Sequence, residues 1–218
     1  MQLEEQLNNI RAFSYQKMKK DSTGHGFDHI QRVVNMSTEL LAHLSADKLV
    51  TLSAAYLHDV ADDKLTTDPA ALEKEMITFL QANYLSQDQI NKIIFITQNL
   101  SFSKTLGGKK PQLPLEGQIV QDADRLDAIG AIGITRAIYY GGAHAEKIYD
   151  PQISPRQLKS KKEYRDLSQE TVINHFYEKL LKIKDLLNTS AAKEIASKRH
   201  QVMLTFLTDF KAEWNAEK

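Results

Sequence analysis

The chain contains no cysteine. Disulfides, thiolate zinc sites and thiol nucleophiles are therefore excluded. A charge imbalance is also missing: Lys and Arg together number 28, and so do Asp and Glu. Without a net basic field, neither a nucleic-acid partner nor an anionic membrane surface is expected. A local group of cations would still suffice for a small phosphorylated ligand. No stretch approaches the roughly 20 apolar residues needed to cross a bilayer. The opening segment, "MQLEEQLNNIRAF", is acidic and lacks the apolar core of a secretory signal. A soluble, cytoplasmic protein with no membrane partner is expected. Strand signals are scarce as well, with few alternating β-branched runs and no Asn-Gly hairpin turn.

What remains is helical. The 218 residues are 42% apolar and 26% charged, an ordinary globular composition with enough chain to bury a sizeable core. Helical periodicity is nearly continuous, so the fold class expected is all-α. One helix is expected over 2–19 and a second from about Phe27. On the second, His29, Val33, Met36, Leu40 and Leu44 recur at steps of three or four, which puts His29 on the core-facing stripe. A third is expected over about 47–61. Asp68 and Pro69 read as an N-cap and first-turn proline opening a helix to about Asn83, and Ser86 caps another to about Asn99. Residues 101–115, with two glycines and two prolines, form a loop. A helix resumes near Glu116 and carries the run to Tyr140; within it, Gly130 and Gly133 either allow close packing or mark a break. A second irregular loop covers 141–157. The tail from about 165 to 215 reads as two long amphipathic helices broken near "LNTSAAK". No internal repeat or low-complexity linker is present. The chain is expected to be one domain over 1–218, with its core motifs in 25–130 and the 165–215 helices packed on them.

Several residues are candidates for chemistry. His29 lies on an apolar stripe, where a lone histidine is often only a satisfied core residue. His58 and Asp59 end an apolar helix; adjacent helical residues point about 100° apart, but both can reach one ion at a helix end. Asp122, Asp124 and Asp127 lie within a strongly apolar segment. A buried carboxylate needs a partner, either a cation such as Arg125 or a metal. Taken together, His29, His58, Asp59 and Asp124 make a set of two imidazoles and two carboxylates. Such a set suits a divalent ion of the Mn, Mg, Fe, Co, Ni or Zn group and leaves positions open for water and substrate.

The order His…His-Asp…Asp resembles that of the HD-domain metal-dependent phosphohydrolases. The similarity extends through "GHGFDHIQRVV", "AAYLHDVADDK", "IVQDADRLDAIGAIGITR" and "HFYEKLLKIKDLLNTSAAKEIASKRH", covering roughly 20–215. Within the family these blocks are most similar to a bacterial subgroup of small stand-alone hydrolases, some of which act as nucleotide pyrophosphohydrolases. The resemblance implies an all-α fold with the metal among the central helices. It implies His29, His58, Asp59 and Asp124 as ligands of one divalent ion, with Mn or Mg favoured, and a phosphorylated small-molecule substrate, a nucleotide. The implied reaction takes (deoxy)nucleoside triphosphates to monophosphate and pyrophosphate. The alternatives on the same site are a nucleoside monophosphate phosphatase, a cyclic-nucleotide phosphodiesterase, or a regulatory module that binds a nucleotide without turnover. Two features depart from the family pattern. Gly26 stands where relatives often carry an aspartate after the first histidine, and "ITQNLSFSK" has Gln98 and Asn99 where some carry a histidine. A single ion is expected on that basis.

Supporting roles follow from position. Asp62, one turn beyond Asp59, is the candidate general base, against the alternative of a solvent-facing helix end. Lys64 and Arg125 are candidates to offset charge on the phosphate, or else salt-bridge partners of the aspartates. His25, flanked by glycines, is placed at the mouth of the site in contact with substrate. His175, Lys179 and Lys182 fall at steps of four and three along one helical face. They form a solvated basic stripe, or Lys179 and Lys182 reach a polyphosphate. The 141–157 loop is a candidate lid, and Trp214 a packing residue.

Overall fold

A computed structural model describes residues 2–21, 24, 26–62, 66, 68–100, 111–157 and 170–217. Among these, the only extended pairing is an isolated bridge between Lys147 and Thr171, and helices account for the architecture. The chain divides into two compact units, one running to Ala123 and the other from Asp124 onward.

The first unit is built on α3 (Lys48–Leu57), which packs against α1 (Leu3–Met18), α2 (Phe27–Leu41) and α5 (Gln87–Asn99). Every residue of α3 from Leu49 to Leu57 is buried. An apolar helix surrounded on all sides is the arrangement that sequence demands. The polar starts of the helices are closed locally. Asp47 accepts the Val50 amide at 3.1 Å. Asp68 accepts that of Ala71 at 2.9 Å and is followed by Pro69 to open α4 (Pro69–Ala82). Ser86 and Gln89 form a reciprocal capping box on α5. Side chains of α1 then tie the bundle together. Gln6 and Asn83 exchange amide-to-carbonyl hydrogen bonds, both 3.0 Å. Phe13 stacks on Phe79 at 4.4 Å. Ser14 Oγ donates to the Tyr56 carbonyl at 2.6 Å, two residues before His58.

In α3 the regular helix stops at Leu57, short of the expected 61. Beyond it the backbone makes tighter turns, with Val60 N–H donating to Leu57 and Asp62 N–H to Asp59, each at 3.1 Å. The end leaves carbonyls of the last turn without a helical donor. The His58 ring takes one of them, as shown below.

The expected helix from Glu116 is two helices, α6 (Leu115–Asp127) and α7 (Gly130–Ala143). Gly130 marks the break, with φ of +77°, and Gly133 provides the close packing: a Cβ there would lie 2.3 Å from the Ala128 carbonyl oxygen. Both readings of the glycine pair therefore hold, one at each position.

The second unit assembles α7, α8 (Val172–Glu178), a 3₁₀ segment (Leu180–Leu186) and α9 (Ser190–Trp214). The first of the two expected tail helices is thus short and tightens into 3₁₀ geometry. Lys179, its C-cap, has φ −135° and ψ −58°, outside the helical range. The expected face shared by His175, Lys179 and Lys182 is lost, because the 3.6-residue period ends at Glu178. Trp214 lies edge-on to Tyr149 at 5.0 Å and beside Phe210 at 6.2 Å, but is 52% exposed rather than packed in a core. No described helix is long and apolar enough to cross a membrane.

Candidate metal centre

Three of the four expected ligands converge within the first unit. His29 is the third residue of α2 and is fully buried. His58 caps the end of α3 and Asp59 follows it. His58 Nε2 lies 3.3 Å from His29 Nε2. Asp59 Oδ2 is 3.4 Å from His58 Nε2 and 3.5 Å from His29 Nε2. The three donors form a nearly equilateral triangle. Ligands bonded at about 2.1 Å to one ion, at angles between octahedral and tetrahedral, are about 3.0–3.4 Å apart. The triangle therefore matches one face of a divalent ion's coordination shell, and the donor types suit that ion. The 5.2 Å ring separation and 73° interplanar angle of the histidines aim both Nε2 atoms inward.

The tautomer of His58 is set by a group the sequence does not advertise. Its Nδ1 lies 2.8 Å from the Ala55 carbonyl oxygen. A carbonyl can only accept, so Nδ1–H donates and Nε2 is left with its lone pair toward Asp59 and His29. Burial of both imidazoles, with side chains 1% and 2% exposed, keeps competing water away from all but the Asp59 side of the cluster.

Asp124 lies in the last turn of α6, at the first residue of the second unit, and is half-buried. Of its neighbours, Asp127 is buried and accepts a hydrogen bond from Arg136 Nη1 at 2.9 Å. The Arg125 guanidinium is largely buried and donates Nη1 to the Leu186 carbonyl. Asp62 is half-buried, with its backbone tied to Asp59 and to Thr66. Lys179 is half-buried and Lys182 exposed. His25 and Lys64 lie outside the described residues.

The 141–157 segment, a candidate lid by composition, is helical to Ala143 and then runs as a strap clipped along its length. Val172 and Ile173 N–H donate to the Lys147 and Ile148 carbonyls, each at 3.0 Å. Asn174 Nδ2 donates to the Ile153 carbonyl at 2.8 Å. Arg156 binds the buried Glu178 through Nε and Nη2, at 3.0 and 2.6 Å, and meets Glu170 at 3.1 Å. His175 is held by Glu170 at 2.6 Å, an ion-pair partner that the basic-stripe reading did not anticipate.

Glu146 joins this acid cluster at a cost. Its Oε1 is buried without a hydrogen-bond partner. Burial pushes its carboxyl above the ordinary glutamate value, and the Glu170 charge pushes the same way, against weaker pulls from His144 and Arg156. The folded protein therefore holds this proton to a higher pH than the unfolded chain does. Folding loses stability as pH rises through that window. Glu146→Gln is expected to raise the melting temperature at pH 7 and to leave it unchanged below about pH 4. Thermal melts of both proteins across that range check the sign.

Residues 26–129 match the HD domain family model. A Lactobacillus plantarum protein of known structure is 47% identical, with a TM-score of 0.87 over 99% of this chain and 100% of that one. An HD-superfamily hydrolase from Bacillus thuringiensis is 37% identical, with a TM-score of 0.78 over 99% of this chain and 100% of its own. Bacillus subtilis YpgQ is 32% identical over 202 residues, which make up 93% of this chain and 90% of YpgQ. The structure of YpgQ in complex with ADP has a TM-score of 0.78, covering 98% of this chain and 97% of that one.

Proposed function

Because the chain belongs to the HD-domain family of metal-dependent phosphohydrolases, we propose that it hydrolyses nucleotides, taking (deoxy)nucleoside triphosphates to monophosphate and pyrophosphate. The observation that carries hydrolysis is the triangle of His29, His58 and Asp59 donors. The support for a nucleotide is that YpgQ, similar over most of its length, accommodates ADP.

In this reading His29 and His58 offer Nε2, and Asp59 and Asp124 offer carboxylate oxygens, to one divalent ion. Drawing ligands from both sides of the 101–115 segment is also the ground for treating 1–218 as one domain. Mn or Mg is the ion that the resemblance favours; the two carboxylates suit either, and the two imidazoles suit Fe, Ni and Zn as well. Such an ion supplies an activated water and a polarised phosphoryl oxygen. The protein's share is positioning and charge. Asp62 takes the proton of the attacking water as its oxygen bonds to the α-phosphorus and the bond to the pyrophosphate oxygen breaks. Lys64 and Arg125 offset the negative charge gathering on the leaving pyrophosphate. His25 contacts the substrate at the entrance, and Lys179 and Lys182 contact the polyphosphate.

The test is a screen of chelator-stripped protein with Mn²⁺ restored, nucleotides supplied singly and products identified. Pyrophosphate released from triphosphates is the expected result. Orthophosphate from monophosphates, or opening of cyclic nucleotides, would replace it with a different specificity. Nucleotide binding without turnover under any metal would reduce the protein to a binding module.

A further inference from the structure

Asp124 sits in the last turn of α6 (Leu115–Asp127), the least secure place on a helix. Past it the helix tightens: the Arg125 and Leu126 carbonyls accept from the Ala128 and Ile129 N–H groups at 3.2 and 3.3 Å, and helix ends of this kind fray. A ligand placed so close to an end keeps its direction better where a side chain from another helix reinforces those bonds.

The second unit supplies that hold from two helices. Arg199, near the middle of α9, donates Nη1 to the Leu126 carbonyl. Its aliphatic stem lies across the turn between α6 and α7, where a Cβ added at Gly130 would come within 2.9 Å of Arg199 Cβ and Cγ. The positive φ of Gly130 and the seat for the arginine stem thus coincide. From α7, Arg136 donates to the Asp127 carboxylate at 2.9 Å, and the charge of the same carboxylate favours the charged form of Arg199 against the desolvation of its burial. A carboxylate at a helix C-terminus opposes the macrodipole and a guanidinium complements it. The two arginines therefore turn an unfavourable end into a stable one.

We infer that Arg199 is a positioning residue for Asp124, locking the last turn of α6 so that the carboxylate keeps the direction a divalent ion requires. The inference rests on the reading of Asp124 as a metal ligand. Arg199 itself contributes no ligand atom.

Two substitutions at Arg199 separate the guanidinium from the stem. Arg199→Met keeps the chain over Gly130 and removes the hydrogen bond and the charge, whereas Arg199→Lys keeps the charge. Mn²⁺ is titrated calorimetrically into the chelator-stripped, full-length protein. Arg199→Met is expected to bind Mn²⁺ about 10–100-fold more weakly, the usual range for groups that orient a ligand. Arg199→Lys is expected to recover part of the loss. Without metal, amide exchange at Ala128 and Ile129 is expected to quicken in Arg199→Met. The deciding comparison is a double-mutant cycle with Asp124→Asn. If Arg199 acts through Asp124, adding Arg199→Met to Asp124→Asn costs no further affinity. Wild-type affinity in Arg199→Met overturns the inference, and so does an undiminished loss in the Asp124→Asn background, which would mark general loosening. Wild-type affinity in Asp124→Asn alone overturns the ligand reading instead. Should Arg199→Met fail to fold, Arg199→Gln is read in the same way.

Discussion

Asp59→Ala is expected to abolish divalent-metal binding at micromolar concentrations and hydrolysis with it. Asp59 supplies the only carboxylate in the His29, His58 and Asp59 triangle. Its oxygen lies 3.4 and 3.5 Å from the two imidazole nitrogens. Removing it takes away one donor and the negative charge that balances the ion, leaving two neutral nitrogens on that face. Loss of an orienting group typically costs about 10–100-fold in metal affinity, and loss of a ligand is expected to exceed that range. Metal content after dialysis and calorimetric titration with Mn²⁺ measure it directly. A second readout is thermal. An ion that binds only the folded state stabilises it by about 2.7 kcal/mol at one hundred times its dissociation constant. The wild-type melting temperature should therefore climb with added Mn²⁺ while that of Asp59→Ala stays level. Full metal content and activity in Asp59→Ala would refute the assignment of the site.

The largest effect on stability is expected from Gly133→Ala. In an open helical position this change gains about 1 kcal/mol from helix propensity. Here the new methyl would sit 2.3 Å from the Ala128 carbonyl oxygen and 2.5 Å from its carbon. Those are backbone atoms of the α6–α7 turn, so neither a rotamer change nor a small side-chain shift relieves the overlap. The turn itself must move, and overpacking of this kind costs about 3 kcal/mol or more. For a chain of this size that corresponds to a fall in melting temperature of roughly 6–12 °C. Gly142 is the control: on the same helix a Cβ there meets nothing among the described residues within 4 Å. Gly142→Ala is expected to be neutral or slightly stabilising. Equal melting temperatures for Gly133→Ala and wild type would show that the close approach is not maintained in solution.

The two predictions differ in how visible their grounds were beforehand. Asp59 stands out in the sequence because it follows a histidine at the end of an apolar run. The resemblance to HD-domain hydrolases then names it as a ligand. Gly133 is one of a pair whose meaning the sequence leaves open. The same contrast runs through the fold. The starts of α4 and α5 were legible from Asp68 with Pro69 and from Ser86, because a cap is a hydrogen bond spanning three residues. The all-α class was legible because a 3.6-residue period is local too. The early end of α3 was not, since no glycine, proline or cap residue in the sequence marks it. Nor was the shortening of α8, where apolar periodicity continues past Glu178 while the backbone leaves the α region at Lys179.

By itself the sequence determined the residue types of the metal centre, the helical class and most helix starts. These depend on side-chain chemistry and on hydrogen bonds within a turn. The tertiary structure alone decided which donors meet. His29 and His58 are 29 residues apart, and only the packing of α2 against α3 brings their nitrogens to 3.3 Å. It also decided that Arg156 clips the strap to Glu178, and that Arg199 closes the end of α6. Each of these contacts is set by how one element lies against another. Spacing along the chain carries no record of that, because an arginine stem or a backbone carbonyl meets its partner through packing rather than through period.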